Sequence, residues 1–305
     1  MANENIPQKE SIADVLKKYK EATGNNPIEN PENLAVGNQI PRMPQFNPAD
    51  FEKTMSKETD PDLMTSFESI KLPSKGMFYQ NRVSELNVEY MTSRDEDLLT
   101  TPSLIENGTV IDLLLKRKIK SANIAPEDLL PGDRNAIILF LRISSYGPDY
   151  SVQVTDPRTG IPFKTSVDLA KLRHKEIKEQ PNQFGYFQVE LPMRKKIATI
   201  RLLTSGEDNL LFKKAEAYKE ASGAECNEYS TMKLKASIVA INERTDRLYI
   251  DKFVDAMPAL DAYTIRRKIL DVGPDVDMAY EFSAKDGFKF SASLTVGVDF
   301  FFPST

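Results

Sequence analysis

Cys226 and His174 are the sole cysteine and the sole histidine among 305 residues. Thiol–imidazole catalysis would therefore need this one pair, held within hydrogen-bonding reach by the fold. Nothing local supports that. His174 sits in the charged run Lys171-Leu172-Arg173-His174-Lys175-Glu176, which reads as solvated surface. One cysteine excludes an internal disulfide and leaves any metal dependent on other ligands. Asp95-Glu96-Asp97 is the densest carboxylate triplet considered as a metal site. It lacks the loop glycine and terminal glutamate of a calcium loop. It follows Thr92-Ser93, so capping residues and an acidic first turn explain it better, because carboxylates favour the positive end of a helix. No Walker loop, GxGxxG, GxSxG or HExxH occurs. Paired carboxylates carry little information in a chain with 45 acidic residues. The expectation is no catalytic residue, no metal ligand and no cofactor.

The elements that would position any site are clearer. Leu129 to Gly147, LLPGDRNAIILFLRISSYG, is organised as a helix. Pro131-Gly132 turns into it, Asp133 is the expected cap, and Gly147-Pro148 stops it. Ala136 to Leu141 is apolar on every side, which predicts burial of Ile138 and Leu141. A hairpin should follow, with strands near Tyr150 to Val154 and Phe163 to Leu169 around Asp156-Pro157-Arg158-Thr159-Gly160.

This arrangement recurs. Met257-Pro258-Ala259-Leu260-Asp261 opens a second helix with Ile265, Ile269 and Leu270, and Gly273-Pro274-Asp275 ends it. Tyr280 to Phe282, Lys285-Asp286-Gly287 and Phe288 to Val296 form the second hairpin. Pro131 to Pro258 spans 127 positions, Gly147 to Gly273 spans 126, and Gly160 to Gly287 spans 127. Upstream, Thr92-Ser93-Arg94-Asp95-Glu96-Asp97-Leu98-Leu99 matches Thr204-Ser205-Gly206-Glu207-Asp208-Asn209-Leu210-Leu211 at an offset of 112. Each follows a β-rich run introduced by Leu-Pro, at Leu72-Pro73 and Leu191-Pro192. Order and spacing together predict an internal duplication.

The predicted class is α+β: two tandem duplicated units with β-hairpins, preceded by an extended N-terminal arm. The boundaries are an arm at 1–66, a first unit at 67–172, a charged linker at 173–188 and a second unit at 189–305. The arm holds seven of the 19 prolines and little to bury, so a flexible tether is expected. Within it, Ser11 to Thr23 makes a short amphipathic helix with Ile12, Val15, Leu16 and Tyr19 on one face. Those four are candidate partner-binding residues; docking on the chain's own body is the alternative. The aromatic run Phe300-Phe301-Phe302 is the second candidate, either as an exposed anchor or as core closure. In the second unit, Leu211, Ala215 and Tyr218 are expected to face inward.

A net charge of −5 gives no general attraction to nucleic acid. No 18-residue apolar run and no signal-peptide core are present, so neither a membrane nor export is expected.

The blocks LPSKGMFY, MTSRDEDLLTTPSLI, LLPGDRNAIILFLRISSYG, IRLLTSGEDNLL and FVDAMPALDAYTIRRKI, with FFFP, carry a resemblance. From about Lys71 to Pro303 the chain resembles the baseplate hub and hub-assembly proteins of T-even-like contractile-tailed phages. The resemblance implies a non-enzymatic role in building the tail baseplate hub. Implied partners are other tail or baseplate proteins, the tape-measure protein among them, and further copies of the chain itself. The implied location is the host cytoplasm during assembly, with two later fates left open, a place in the virion tail baseplate or departure after assembly. One alternative is an assembly chaperone for the tape-measure protein that is absent from mature virions; a remoter one is a cell-wall-degrading phage enzyme. Family members look to carry Cys-x-x-Cys knuckles at the hairpin turns. Here those turns contain no cysteine, so zinc is not expected, and prolines and glycines must hold them.

Overall fold

A computed structural model describes residues 66–120, 124–223, 227–284, 286–294 and 297–302. The described residues belong to one compact unit, Met64–Thr305, with an α+β fold. The arm, including Ile12, Val15, Leu16 and Tyr19, lies outside the described residues, as does Cys226.

The first module opens with an antiparallel hairpin, β1 (Phe67–Lys71) and β2 (Glu85–Glu89). β1 ends before Leu72, and Leu72 to Tyr79 forms a long turn. Lys75, Gly76 and Arg82 take positive φ there. Gly76 is required: a Cβ on it would lie 2.5 Å from the Arg82 carbonyl oxygen. Three helices follow, α1 (Ser93–Leu99), α2 (Pro102–Glu106) and α3 (Val110–Lys118). Then come α4 (Pro131–Tyr146) and the hairpin β3 (Asp149–Thr155) and β4 (Pro162–Asp168).

The second module follows a similar but not identical order. β5 (Tyr186–Leu191) and β6 (Lys196–Arg201) form a hairpin, followed by α5 (Ser205–Ser222) and α6 (Tyr229–Ser237). β7 (Ile238–Ile241) joins β6, and α7 (Arg247–Asp255) leads to α8 (Ala259–Val272). The hairpin β8 (Ala279–Ser283) and β9 (Lys289–Ser293) completes it.

The equivalence extends below the level of elements. Thr92 and Thr204 are the N-cap residues of α1 and α5, 112 positions apart. Ile119 and Ile238 both leave a helix in extended conformation, at ψ 115° and 122°. Both then pair with the second hairpin strand, Ile119 opposite Val88 and Ile238 opposite Ile200. Val88 and Ile200 are again 112 apart. The spacing of the long helices differs slightly from expectation. Pro131 is the first residue of α4, whereas Pro258 is the N-cap of α8. Asp133 and Asp261 are the equivalent third helical residues, and α4 has 16 residues against 14 in α8.

There are two apolar cores, but they do not coincide with the two sequence units. Ile137, Ile138 and Leu141 of α4 centre the first, with Leu72, Leu99, Leu114 and Val167. Val276, Met278, Phe282, Leu294, Phe300 and Phe301 from the second sequence unit also belong to it. The second core lies between the β5–β6–β7 sheet and α6, α7 and α8, around Phe187, Ile200, Leu234, Phe253 and Ile265. The stretch expected as a free charged linker is tied down: His174 bridges Val276 through backbone, and the Lys175 and Asp277 N–H groups donate to the Asp275 and Arg173 carbonyls at 2.8 Å. No helix among the described residues is long and apolar enough to cross a membrane.

Candidate interaction surface

The buried carboxylates tie turns to helices within each module. Asp133 does not cap α4, whose N-cap is Leu130. Its carboxylate is fully buried. One oxygen accepts the Ser74 N–H at 2.8 Å and the other the Tyr79 hydroxyl at 2.5 Å. The Tyr79 oxygen in turn accepts the Leu130 N–H at 3.0 Å. One carboxylate thus clamps the hairpin turn onto the start of α4. Burial pushes the Asp133 carboxyl above its ordinary range, partly offset by the Ser74 and Tyr79 donors. Burial, with the Asp133 charge and hydrogen bond beside it, also pushes the Tyr79 phenol up.

Asp261 repeats the device. It is buried at the third position of α8 and accepts the N–H groups of Met193 and Arg194, at 2.8 and 3.1 Å, from the β5–β6 turn. Ser74 and Met193 each follow the Leu-Pro pair that ends the first strand region of their module. A carboxylate that accepts backbone donors from a distant turn fixes register where an apolar contact could slide.

The acidic triplet after Thr92 also serves the fold. Asp95 accepts the Thr92 N–H at 2.8 Å and lies 2.6 Å from the Lys118 ammonium of α3. Burial alone would raise its carboxyl, but the Lys118 ammonium and the Thr92 donors hold it below the usual range. In the second module Glu207 reaches back to the Thr204 N–H at 3.0 Å, while Thr204 Oγ1 accepts the Glu207 N–H. Its cation is Arg201 of β6, paired through both guanidinium nitrogens at 2.7 and 2.9 Å. The anion has kept its place in both modules while the cation comes from different elements. Among the described residues no cluster of three His, Cys, Asp or Glu side chains is placed to hold a metal.

The hairpin turns are closed by an ion pair and an aromatic ring. Arg158 donates to Asp156 at 3.2 Å and to Asp286 at 2.7 Å, and its guanidinium lies 3.8 Å from the centre of the Phe288 ring. These contacts join the β3–β4 tip to the β8–β9 tip. Phe163 meets Phe290 edge-on behind them.

The aromatic run resolves in favour of core closure. Phe300 and Phe301 are buried, and Phe302 is half-buried. Phe300 packs edge-on against Tyr150, and its carbonyl accepts the buried Arg142 Nε at 2.9 Å. Phe300 and Phe301 are therefore not an exposed anchor: their rings have no free face for a partner. They also close the first core rather than the second sheet.

Exposed apolar surface lies elsewhere, on α5 and α8. Of the residues expected to face inward from α5, Ala215 is buried and Leu211 half-buried, but Tyr218 is 48% exposed. Leu210 and Phe212 of the same helix are also exposed. Leu260, Tyr263 and Leu270 share the outer face of α8, and Leu270 is 71% exposed. Sequence reasoning missed this face because α8 is apolar on two sides. Ile265 and Val272 are buried in the second core, and the remaining apolar residues must then point outward. None of the known families, characterised proteins or solved structures compared with this chain matches it.

Proposed function

We propose that this protein is a non-enzymatic component or assembly factor of a contractile phage tail baseplate hub, working through protein–protein contacts. The observation that carries the protein-contact part is the outer face of α8, where Leu260, Tyr263 and Leu270 are all exposed, an apolar stripe of the kind that marks a binding surface. Leu260, Tyr263 and Leu270 do not support the core, so their burial requires a neighbour. The hub part rests on the ordered sequence blocks from Lys71 to Pro303. Asp133 and Asp261, the buried carboxylates that might have suggested catalysis, are inaccessible to a substrate and saturated by donors of their own modules. Partners in this reading are other tail or baseplate proteins. The working location is the host cytoplasm during assembly and then the virion tail baseplate.

Mass spectrometry of purified phage particles, with fractionation of tails and baseplates, tests it. Peptides of this chain should be recovered in the baseplate fraction. Their absence from particles, combined with tail failure when the chain is removed, would replace the component reading by that of a chaperone. Normal tails without the chain would end both.

A further inference from the structure

The second module carries an open apolar furrow along α6 and α8. One cavity of about 320 Å³ is walled by Leu130, Leu202, Ile269 and Leu270. A second, of about 230 Å³, is walled by Leu234, Ile269 and Leu270. Lys233, Ile269 and Leu270 border both, so the two adjoin.

Its rim carries Lys175, Lys233 and Arg266, together with Asp208 and Asp275. Of the two acids, Asp208 is paired with a cation and, among the described residues, Asp275 holds neutral donors only. Asp208 accepts the Tyr229 hydroxyl at 2.6 Å and the Lys233 ammonium at 2.8 Å. One oxygen of Asp275 accepts Asn135 Nδ2 at 3.1 Å and the Val276 N–H at 2.8 Å. Lys175 donates to the Leu270 carbonyl, which offsets the negative end of α8. Among the described residues neither Lys175 nor Arg266 is paired with a carboxylate. The furrow thus joins an apolar floor to a rim of three cations and two carboxylates, with Lys175 and Arg266 held in no salt bridge among the described residues.

We propose that this furrow docks a short amphipathic segment of a partner protein, one that presents large apolar side chains flanked by Asp or Glu. The apolar side chains would cover Ile269 and Leu270, and the carboxylates would meet Lys175 and Arg266. This rests on the protein-contact reading above and names the chemistry of the partner.

The test uses the full chain and two fluorescein-labelled helical peptides with leucines at i, i+3, i+4 and i+7. In one the leucines are flanked by glutamates, in the other by lysines. Fluorescence anisotropy should show the glutamate peptide binding about tenfold tighter or more, with a preference that weakens in salt. Arg266→Glu should cut that preference, and Leu270→Gln should weaken both peptides. Both positions are exposed, and circular dichroism confirms that the variants fold. Equal affinity for the two peptides, no binding of either, or indifference to both substitutions overturns the proposal. A dimer in sedimentation velocity that Leu270→Gln dissociates would give the furrow to a second copy instead. Displacement of the bound glutamate peptide by a peptide of residues 50–65 would give it to the chain's own leading segment. If the peptides fail to bind while the chain is found in baseplates, only the furrow assignment falls.

Discussion

Replacing Asp133 by alanine strips the acceptor from two buried donors at once, the Ser74 N–H and the Tyr79 hydroxyl. Each orphaned buried donor costs roughly 1–3 kcal/mol, so Asp133→Ala should destabilise the protein by about 2–6 kcal/mol. A simple exposed helix cap would lose only about 1 kcal/mol. The excess measures the clamp between turn and helix. Asp133→Asn keeps a carbonyl for the Ser74 N–H but turns an amide donor toward Tyr79, so its loss should be intermediate. Equilibrium urea unfolding followed by far-ultraviolet circular dichroism gives the energies. Amide exchange at Ser74 gives the locality, since its N–H should lose protection before the interior amides of α4. A loss for Asp133→Ala no larger than that of an exposed cap, with the Ser74 amide still protected, would refute the clamp. The same substitution at Asp261 should expose the Met193 and Arg194 amides in the second module, because the geometry is repeated there.

Gly132→Ala should cost about 1–3 kcal/mol or more, because the new Cβ would fall 1.9 Å from the Pro274 carbonyl oxygen; thermal unfolding reads it, with Gly147→Ala as a control for backbone strain at φ 81° without any close neighbour. Phe300→Ala should lose about 3–5 kcal/mol and Phe302→Ala much less, and equal small losses in urea melts would return both residues to the surface. The Asp95 carboxyl is held low in the fold, so the stability it adds is present above the ordinary carboxylate range and is lost as pH falls through its depressed folded value. Asp95→Asn should therefore flatten the decline in stability on acidification, and an unchanged pH profile would show that the Lys118 pairing contributes nothing.

The two modules differ at the second residue of their long helices. Gly132 in α4 leaves room for the Pro274-Asp275 backbone where a Cβ would clash, while the equivalent position in α8 is the exposed Leu260. The contact that α4 makes with the end of the second module cannot be repeated on α8 without moving that side chain.

Local pattern alone determined much of this architecture. The Thr-Ser-acidic signals set both α1 and α5, because an N-cap and a carboxylate at the third position satisfy the same helix donors wherever they occur. The apolar run in α4 and the Gly-Pro stops were equally legible, since burial and φ restriction act within a few residues. The internal repeat followed from counting positions between such signals.

Tertiary structure decided the rest. Asp133 looked like a cap because its nearest donors in sequence are those of its own helix; its real donors are 59 and 54 positions away, on a turn that no local pattern places beside it. Phe300 and Phe301 had two physically acceptable fates, and the space left between Tyr150, Arg142 and α4 chose burial. Which apolar side of α8 meets the core depended on the β5–β6–β7 sheet, so the exposed stripe of Leu260, Tyr263 and Leu270 emerged only once the other side was filled. Long-range packing selects among faces and partners that short-range chemistry leaves equivalent.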